Sequence, residues 1–68
     1  MIVTSKRLGK RLKHLRTVRG LSQEALAKQA RITREYVNKL EAGRYDPTIR
    51  VVQRLARALK VSLAELVQ

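Results

Sequence analysis

The chain has 68 residues, with 16 lysines and arginines against five aspartates and glutamates, and a formal net charge of +11. A chain this short forms at most one domain, and a domain near this size buries only about 60% of the surface that its unfolded chain exposes. Cysteine is absent, which excludes disulfides and thiolate metal sites, and no apolar run approaches the roughly 20 residues of a membrane span. The sequence predicts a single cytoplasmic domain over residues 1–68, whose charge attracts a polyanion: nucleic acid, an anionic membrane surface or an acidic protein.

Helical periodicity predicts five helices and no strand. The first helix covers residues 5–19, and its N-cap is Thr4 or Ser5. Gly20 follows its end, where a left-handed residue is expected. An apolar line faces inward through Leu8, Leu12 and Leu15. The outer face is basic and carries Lys6, Lys10, Lys13 and Arg7 or Arg11.

The second and third helices cover residues 23–30 and 34–42, with Ser22 and Thr33 as their N-caps. Only residues 31–33 join the two helices, so the chain must turn sharply between them. Their inward positions are Leu26, Ala27 and Ala30, then Val37 and Leu40. Two short helices joined by such a turn form a helix-turn-helix, whose second helix enters the major groove of DNA.

The third helix ends at Gly43, and Asp46-Pro47 marks a turn in the loop that follows. Thr48 caps a fourth helix over residues 49–60. The inward face of this helix is predicted to comprise Ile49, Val52, Leu55, Ala56 and Leu59. A short fifth helix over residues 63–67 begins at the N-cap Ser62.

The outer side of the third helix carries polar groups that all form directed hydrogen bonds. In a major groove Arg34 and Lys39 can donate to guanine O6 and N7. Asn38 can pair with adenine, and Glu35 can accept from cytosine N4. The alternative is an ordinary surface ion pair between Glu35 and Lys39, four residues apart, worth about 0.3–0.5 kcal/mol.

Several segments resemble the phage repressor and Cro family, also called the xenobiotic-response-element type of helix-turn-helix. The most telling are "LSQEALA", "YVNKLEAG" and the pattern P-T-I-x-x-V-x-x-L-A-x-x-L, and the resemblance runs from "LGKRLKHLR" to "AEL". It implies an all-α fold: a compact five-helix bundle of the lambda-repressor-like DNA-binding type with a central helix-turn-helix. Restriction-modification controller proteins and small phage repressors look similar to this chain.

The resemblance also implies roles for individual residues. The base-reading positions are Arg34, Glu35, Asn38 and Lys39. The positions near the DNA phosphates are Gln23, Thr33, Arg44 and Tyr45. Capping is the alternative role for Thr33, and covering the core edge is the alternative for Tyr45. Arg16 and Glu41 match a structural salt bridge between the first and third helices.

Arg31 departs from the family pattern, which usually has glycine at this position. A positive φ there would strain an arginine. Either the turn differs slightly, or the strain is accepted because Arg31 reaches a phosphate. Tyr36 either packs between helices or lies along the sugar-phosphate backbone.

The leading hypothesis is a sequence-specific DNA-binding transcriptional regulator, bound as a homodimer to a near-palindromic operator whose half-sites lie about 34 Å apart. Apolar residues in the C-terminal part either form the dimer contact or complete the monomer core: Leu63, Leu66 and Val67, with Val51 and Ala58 on the fourth helix. The alternative function is an antitoxin of the same fold that binds a toxin partner as well as its own operator.

Other function classes fit less well. A membrane-surface role for the basic first helix lacks an aromatic anchor, and RNA binding lacks stacking platforms, since the chain has two tyrosines, no phenylalanine and no tryptophan. His14 is the single histidine, and no nucleophile-base arrangement or phosphate loop accompanies it. The sequence therefore predicts no enzyme, no metal and no cofactor.

Overall fold

The structure, a computed structural model, describes residues 5–68, which form five helices and no strand. The helices are α1 Ser5–Val18, α2 Gln23–Ala30, α3 Arg34–Glu41, α4 Ile49–Leu59 and α5 Leu63–Leu66. The predicted order is confirmed. α2 has its predicted bounds, and the other four helices end one residue earlier than predicted.

Polar side chains begin α2, α3, α4 and α5 as predicted. Each accepts a hydrogen bond of 3.0–3.2 Å from the backbone N–H three residues ahead, and the caps are Ser22, Thr33, Thr48 and Ser62. Glu65 completes a capping box by accepting from the Ser62 backbone N–H at 3.2 Å. Ser5 is the first residue of α1, and its hydroxyl donates to the Asp46 carboxylate. The other predicted cap, Thr4, lies outside the described residues.

In the described part of the chain, four left-handed residues end helices or follow them closely. Gly20 and Gly43 have φ values of 70° and 74°, as predicted for glycine after a helix. Arg31 and Lys60 adopt φ values of 60° and 58° with a full side chain. The prediction that Lys60 belongs to α4 is wrong: its backbone N–H caps the helix by bonding to the Ala56 and Arg57 carbonyls.

The core is built mainly from leucines. α2 packs on α3 and on α4, α1 crosses α3, and α5 closes the structure against α1 and α4. The fully buried side chains are Leu12, Leu26, Leu40, Leu55, Leu59, Leu66 and Val37. Each contributes about 1.5–3 kcal/mol by burial, which suits a small domain without disulfides.

The start of α4 differs from the prediction. Ile49, predicted to face inward, is 63% exposed, whereas Val51, predicted to lie off the inward face, is 8% exposed. At 3.6 residues per turn Ile49 lies about 120° from Leu55 around the helix. As the first residue of α4 it stands at the edge of the buried face. Leu66 is fully buried, so this side chain completes the monomer core.

A buried glycine allows α1 to cross α3 closely. A Cβ at Gly9 would lie 2.7 Å from the backbone oxygen of Glu41 and nearer still to that of Leu40. Both obstacles are backbone atoms, which cannot rotate away. Gly9 therefore sets the distance between α1 and the C-terminal end of α3.

Candidate nucleic-acid interface

The outer face of α3 brings the four predicted base-reading residues together. Arg34, Glu35, Asn38 and Lys39 are all exposed and line one shallow cleft of about 300 Å³. On the opposite side of the helix Val37 and Leu40 are 0% and 1% exposed. The cap at Thr33 and the buried pair together hold α3 against the core with its polar groups outward.

The loop after α3 folds back over the C-terminal half of that helix. Lys39 Nζ donates to the Tyr45 hydroxyl at 3.4 Å and lies 5.2 Å from the centre of the same ring, within cation–π range. The rings of Tyr45 and Tyr36 are 6.1 Å apart and tilted by 53°. The alternative ion pair between Glu35 and Lys39 is not formed, because Lys39 is directed to Tyr45 instead.

A hydrogen-bonded chain connects three helices behind this face. Arg16 donates from Nε to Glu41 Oε2 at 2.6 Å and from Nη2 to Oε1 at 3.1 Å. Gln23 Nε2 donates to Glu41 Oε1 at 3.0 Å, and Asn38 Nδ2 donates to Gln23 Oε1 at 3.3 Å. Arg16 also donates to the Leu21 carbonyl at 2.8 Å. Asn38 on the reading face is thus linked to the ion pair through Gln23.

The hydrogen bonds through which Gln23 links these helices were not predicted from the sequence. Gln23 and Asn38 were treated there as independent DNA contacts, although they bond to each other in the free protein. No local pattern signals this, because the two residues lie 15 positions apart on different helices. Lys13 was also missed as a neighbour: it lines a cleft with Gln23 and Asn38, which places a lysine of α1 beside the reading face.

The predicted phosphate-contacting residues have different surroundings. Thr33 is exposed, and its hydroxyl oxygen accepts from the Tyr36 N–H at 3.0 Å, so the capping role is observed. Arg44 is exposed in the loop after α3, and Tyr45 is 47% exposed. Arg31 lines a separate cleft with residues of α4.

Two arginines of the basic chain bond to groups near the ends of other helices. Arg11 donates to the Glu65 carbonyl at 2.9 Å and to Gln68 Oε1 at 3.0 Å, and Arg19 donates to the Lys60 carbonyl at 3.2 Å. Cations are favoured at these positions, because carbonyl groups without helical partners carry partial negative charge there. The sequence did not distinguish Arg11 from the solvent-facing lysines of α1.

Residues 5–68 offer neither a metal site nor a membrane-spanning helix. That part of the chain contains no group of three histidine, cysteine, aspartate or glutamate side chains placed to hold a metal ion. Nor does it contain a helix whose length and apolar character would let it span a membrane.

The sequence model of the HTH_3 family, described as helix-turn-helix, matches residues 12–66. The chain belongs to the helix-turn-helix family. A relative described as the uncharacterized HTH-type transcriptional regulator y4dJ of Sinorhizobium fredii is 39% identical over 62 residues, which cover 91% of this chain and 80% of the relative. The immunity repressor protein of Bacillus phage phi105 is 33% identical over 60 residues, 88% of this chain and 42% of the repressor.

Solved helix-turn-helix structures agree with the fold. The restriction-modification controller protein C.AhdI from Aeromonas hydrophila has a TM-score of 0.89 and 39% identity, covering 91% of this chain and 94% of the controller. SinR, a master regulator for biofilm formation solved in complex with DNA, has a TM-score of 0.85 and 27% identity, covering 90% of this chain and 98% of SinR. The predicted family, the fold class and the general function of a DNA-binding transcriptional regulator are confirmed.

Proposed function

We propose that this helix-turn-helix protein binds a specific DNA sequence as a homodimer, with α3 in the major groove of each half of a near-palindromic operator. The observation that carries the proposal is the exposed polar face of α3, opposite the buried Val37 and Leu40, in a chain of net charge +11. The likeness to SinR in complex with DNA supports it.

The base contacts are assigned by hydrogen-bonding chemistry. Arg34 and Lys39 donate to guanine, and Glu35 accepts from cytosine. Asn38 needs both its amide nitrogen and its amide oxygen to pair with adenine. Its nitrogen is bonded to Gln23 in the free protein. Because that nitrogen carries two hydrogens, one can stay bonded to Gln23 Oε1 while the other donates to adenine N7 and the amide oxygen accepts from adenine N6.

The phosphate contacts are proposed to flank α3 on two sides. Gln23 stands at the start of α2, where backbone N–H groups favour an anion. Thr33 begins α3, and Arg44 and Tyr45 lie in the loop after it. Each phosphate neutralised by a lysine or arginine releases counterions, so affinity falls with salt. Arg31 stands apart from this set, because its cleft lies between α2 and α4.

The homodimer requires apolar surface that the monomer leaves open. Leu66 and Val51 are buried and do not provide it. Ile49 is 63% exposed, and Leu63 and Val67 are only partly buried against the core. We propose that these three supply apolar contacts between protomers.

Selection of preferred sites from random duplex DNA, followed by sedimentation on the selected duplex, tests the proposal. A near-palindromic consensus and two protomers on each duplex are the expected results. Binding without sequence preference would overturn the assignment of α3 to the groove. A single protomer on a single half-site would overturn the homodimer while leaving base reading intact.

No catalytic step is proposed for this protein, and we place it in the cytoplasm because its proposed partner is DNA. None of the relatives and structures named above is described as an antitoxin, so nothing favours that alternative function.

A further inference from the structure

A second basic cleft lies between the C-terminal end of α2 and the middle of α4. Its volume is about 270 Å³, and it is lined by Gln29, Arg31, Arg54 and Arg57. Three of these four side chains are guanidinium groups, and no acid lines the cleft. Three like charges placed together repel one another unless an anion neutralises them.

Arg54, one of the lining residues, has a donor without a partner. Its Nε is buried and has no hydrogen-bond partner. Such groups are rare in native proteins, and a bound water or ion usually accounts for them. Within residues 5–68 no side-chain hydrogen bond or ion pair reaches the guanidinium groups of Arg31, Arg54 or Arg57 either.

A purely structural use of these arginines does not account for the arrangement. Cations are favoured near the C-terminal end of α2, and Arg11 and Arg19 show what that use looks like elsewhere in the chain. Both donate directly to carbonyl oxygens at the ends of α5 and α4. Among residues 5–68 the cleft arginines find no carbonyl to donate to, and Arg31 is held in a left-handed conformation at φ 60°.

We infer that this cleft binds the phosphate group of a small molecule, such as inorganic pyrophosphate or a phosphate monoester. Guanidinium groups bind oxyanions through paired, charge-assisted hydrogen bonds, and Arg54, which lines the cleft, has a buried Nε without an acceptor. The cleft lies just below the range of about 300–1,000 Å³ typical of drug-sized ligands, so it suits a compact anion.

The site is separate from the DNA-reading face. None of its four lining residues belongs to α3 or lines a cleft beside α3. A bound phosphate would join Arg31, in the turn that enters α3, to Arg54 and Arg57 on α4. The anion thereby stabilises the folded state, which it binds and the unfolded chain does not. This inference does not depend on the proposed DNA sequence specificity.

The test is a titration of the ¹⁵N-labelled protein with inorganic pyrophosphate at constant ionic strength, followed through the arginine Nε–Hε resonances. The Arg54 resonance is expected to shift and saturate, and the melting temperature to rise over the same concentrations. Shifts that never saturate, or that fall on Arg34 and Arg44 instead, would overturn the site.

Charge-matched variants separate the cleft from general attraction to a basic protein. Arg54→Gln is expected to weaken pyrophosphate binding at least about tenfold, as loss of a charge-assisted hydrogen bond implies. Arg57→Gln, at an exposed position, provides the same test if Arg54→Gln fails to fold. Arg50→Gln is the control, since it removes one charge from α4 outside the cleft. Equal weakening by Arg50→Gln would contradict the proposal.

Repeating the titration in the presence of DNA shows whether the cleft binds a free phosphate or the phosphates of a duplex. Pyrophosphate and a duplex carrying the selected site are expected to bind together, each with its own set of shifted resonances. If the duplex displaced pyrophosphate and shifted the Arg54 resonance itself, the cleft would belong to the DNA interface, and the small-molecule assignment would be wrong.

Discussion

Arg16 and Glu41 form a two-point ion pair between α1 and the end of α3, with side chains that are only 14% and 4% exposed. Gln23 adds a third donor to the same carboxylate, so α1, α2 and α3 meet at Glu41. Asn38 bonds to Gln23, which in turn bonds to Glu41. The placement of Asn38 on the outer face of α3 therefore depends on the Arg16–Glu41 ion pair, which lies behind that face.

Glu41→Ala is expected to destabilise the protein by about 3–5 kcal/mol, because it leaves the Arg16 guanidinium shielded from water without its counter-ion. Urea unfolding followed by circular dichroism measures this. Glu35→Ala makes the same change of charge at an exposed position and should stay within about 0.5 kcal/mol of the parent. Equal losses in both variants would show that the ion pair contributes nothing beyond net charge.

Gly9→Ala is expected to destabilise the protein by about 1–3 kcal/mol, since the added Cβ would meet two backbone carbonyls of α3. This sign opposes helix propensity, which favours alanine over glycine by about 1 kcal/mol. Thermal unfolding provides the measurement, with Lys10→Ala at an exposed neighbouring position as the control. A stabilised Gly9→Ala protein would mean that α1 and α3 are not packed this closely.

Arg31→Gly and Lys60→Gly are each expected to stabilise the protein by about 1 kcal/mol, because glycine adopts a left-handed conformation without strain. Gly20→Ala is the matched opposite: its φ is +70° and an added Cβ would touch nothing within 4 Å, so only backbone strain changes. Denaturant midpoints should therefore rise for the first two variants and fall for the third. A fall in all three would refute the strain argument.

Arg34→Ala and Lys39→Ala are each expected to relax the preference at one base pair by about 1–3 kcal/mol. Arg44→Ala should instead weaken binding to all sequences alike and reduce the salt dependence by about one phosphate contact. Competition binding on a panel of single-base operator variants, repeated at several salt concentrations, separates the two patterns. Uniform weakening by all three variants would contradict the base-reading assignment.

Local rules explain most of the agreement between the predicted and observed helices. Hydrogen bonds from Ser22, Thr33, Thr48 and Ser62 begin four helices, and such caps depend only on residues three positions apart. Apart from helix ends that were placed one residue too late, the failure lies at the start of α4. Ile49 and Val51 share one helix turn, and periodicity alone did not show which of them has neighbours to pack against.

The contacts behind the reading face could not be derived in the same way. The bond from Asn38 to Gln23 and the shared use of Glu41 join residues 15 to 25 positions apart. Such contacts exist because helices cross at particular distances, and Gly9 governs one of those distances without any periodic signal. The cleft of Arg31, Arg54 and Arg57 has the same origin, since α2 and α4 meet only in the folded chain.

Composition, spacing and capping residues were enough to predict an all-helical, strongly basic chain with a polar face on its third helix, because those properties depend on charge and on neighbours a few positions away. Which polar groups are already bonded to one another, which arginines have no acceptor and which apolar side chains stay exposed followed from the packing of the helices. The burial of a side chain and its hydrogen-bond partners depend on contacts between segments that are far apart in the sequence. They therefore cannot be predicted from any single stretch of the chain.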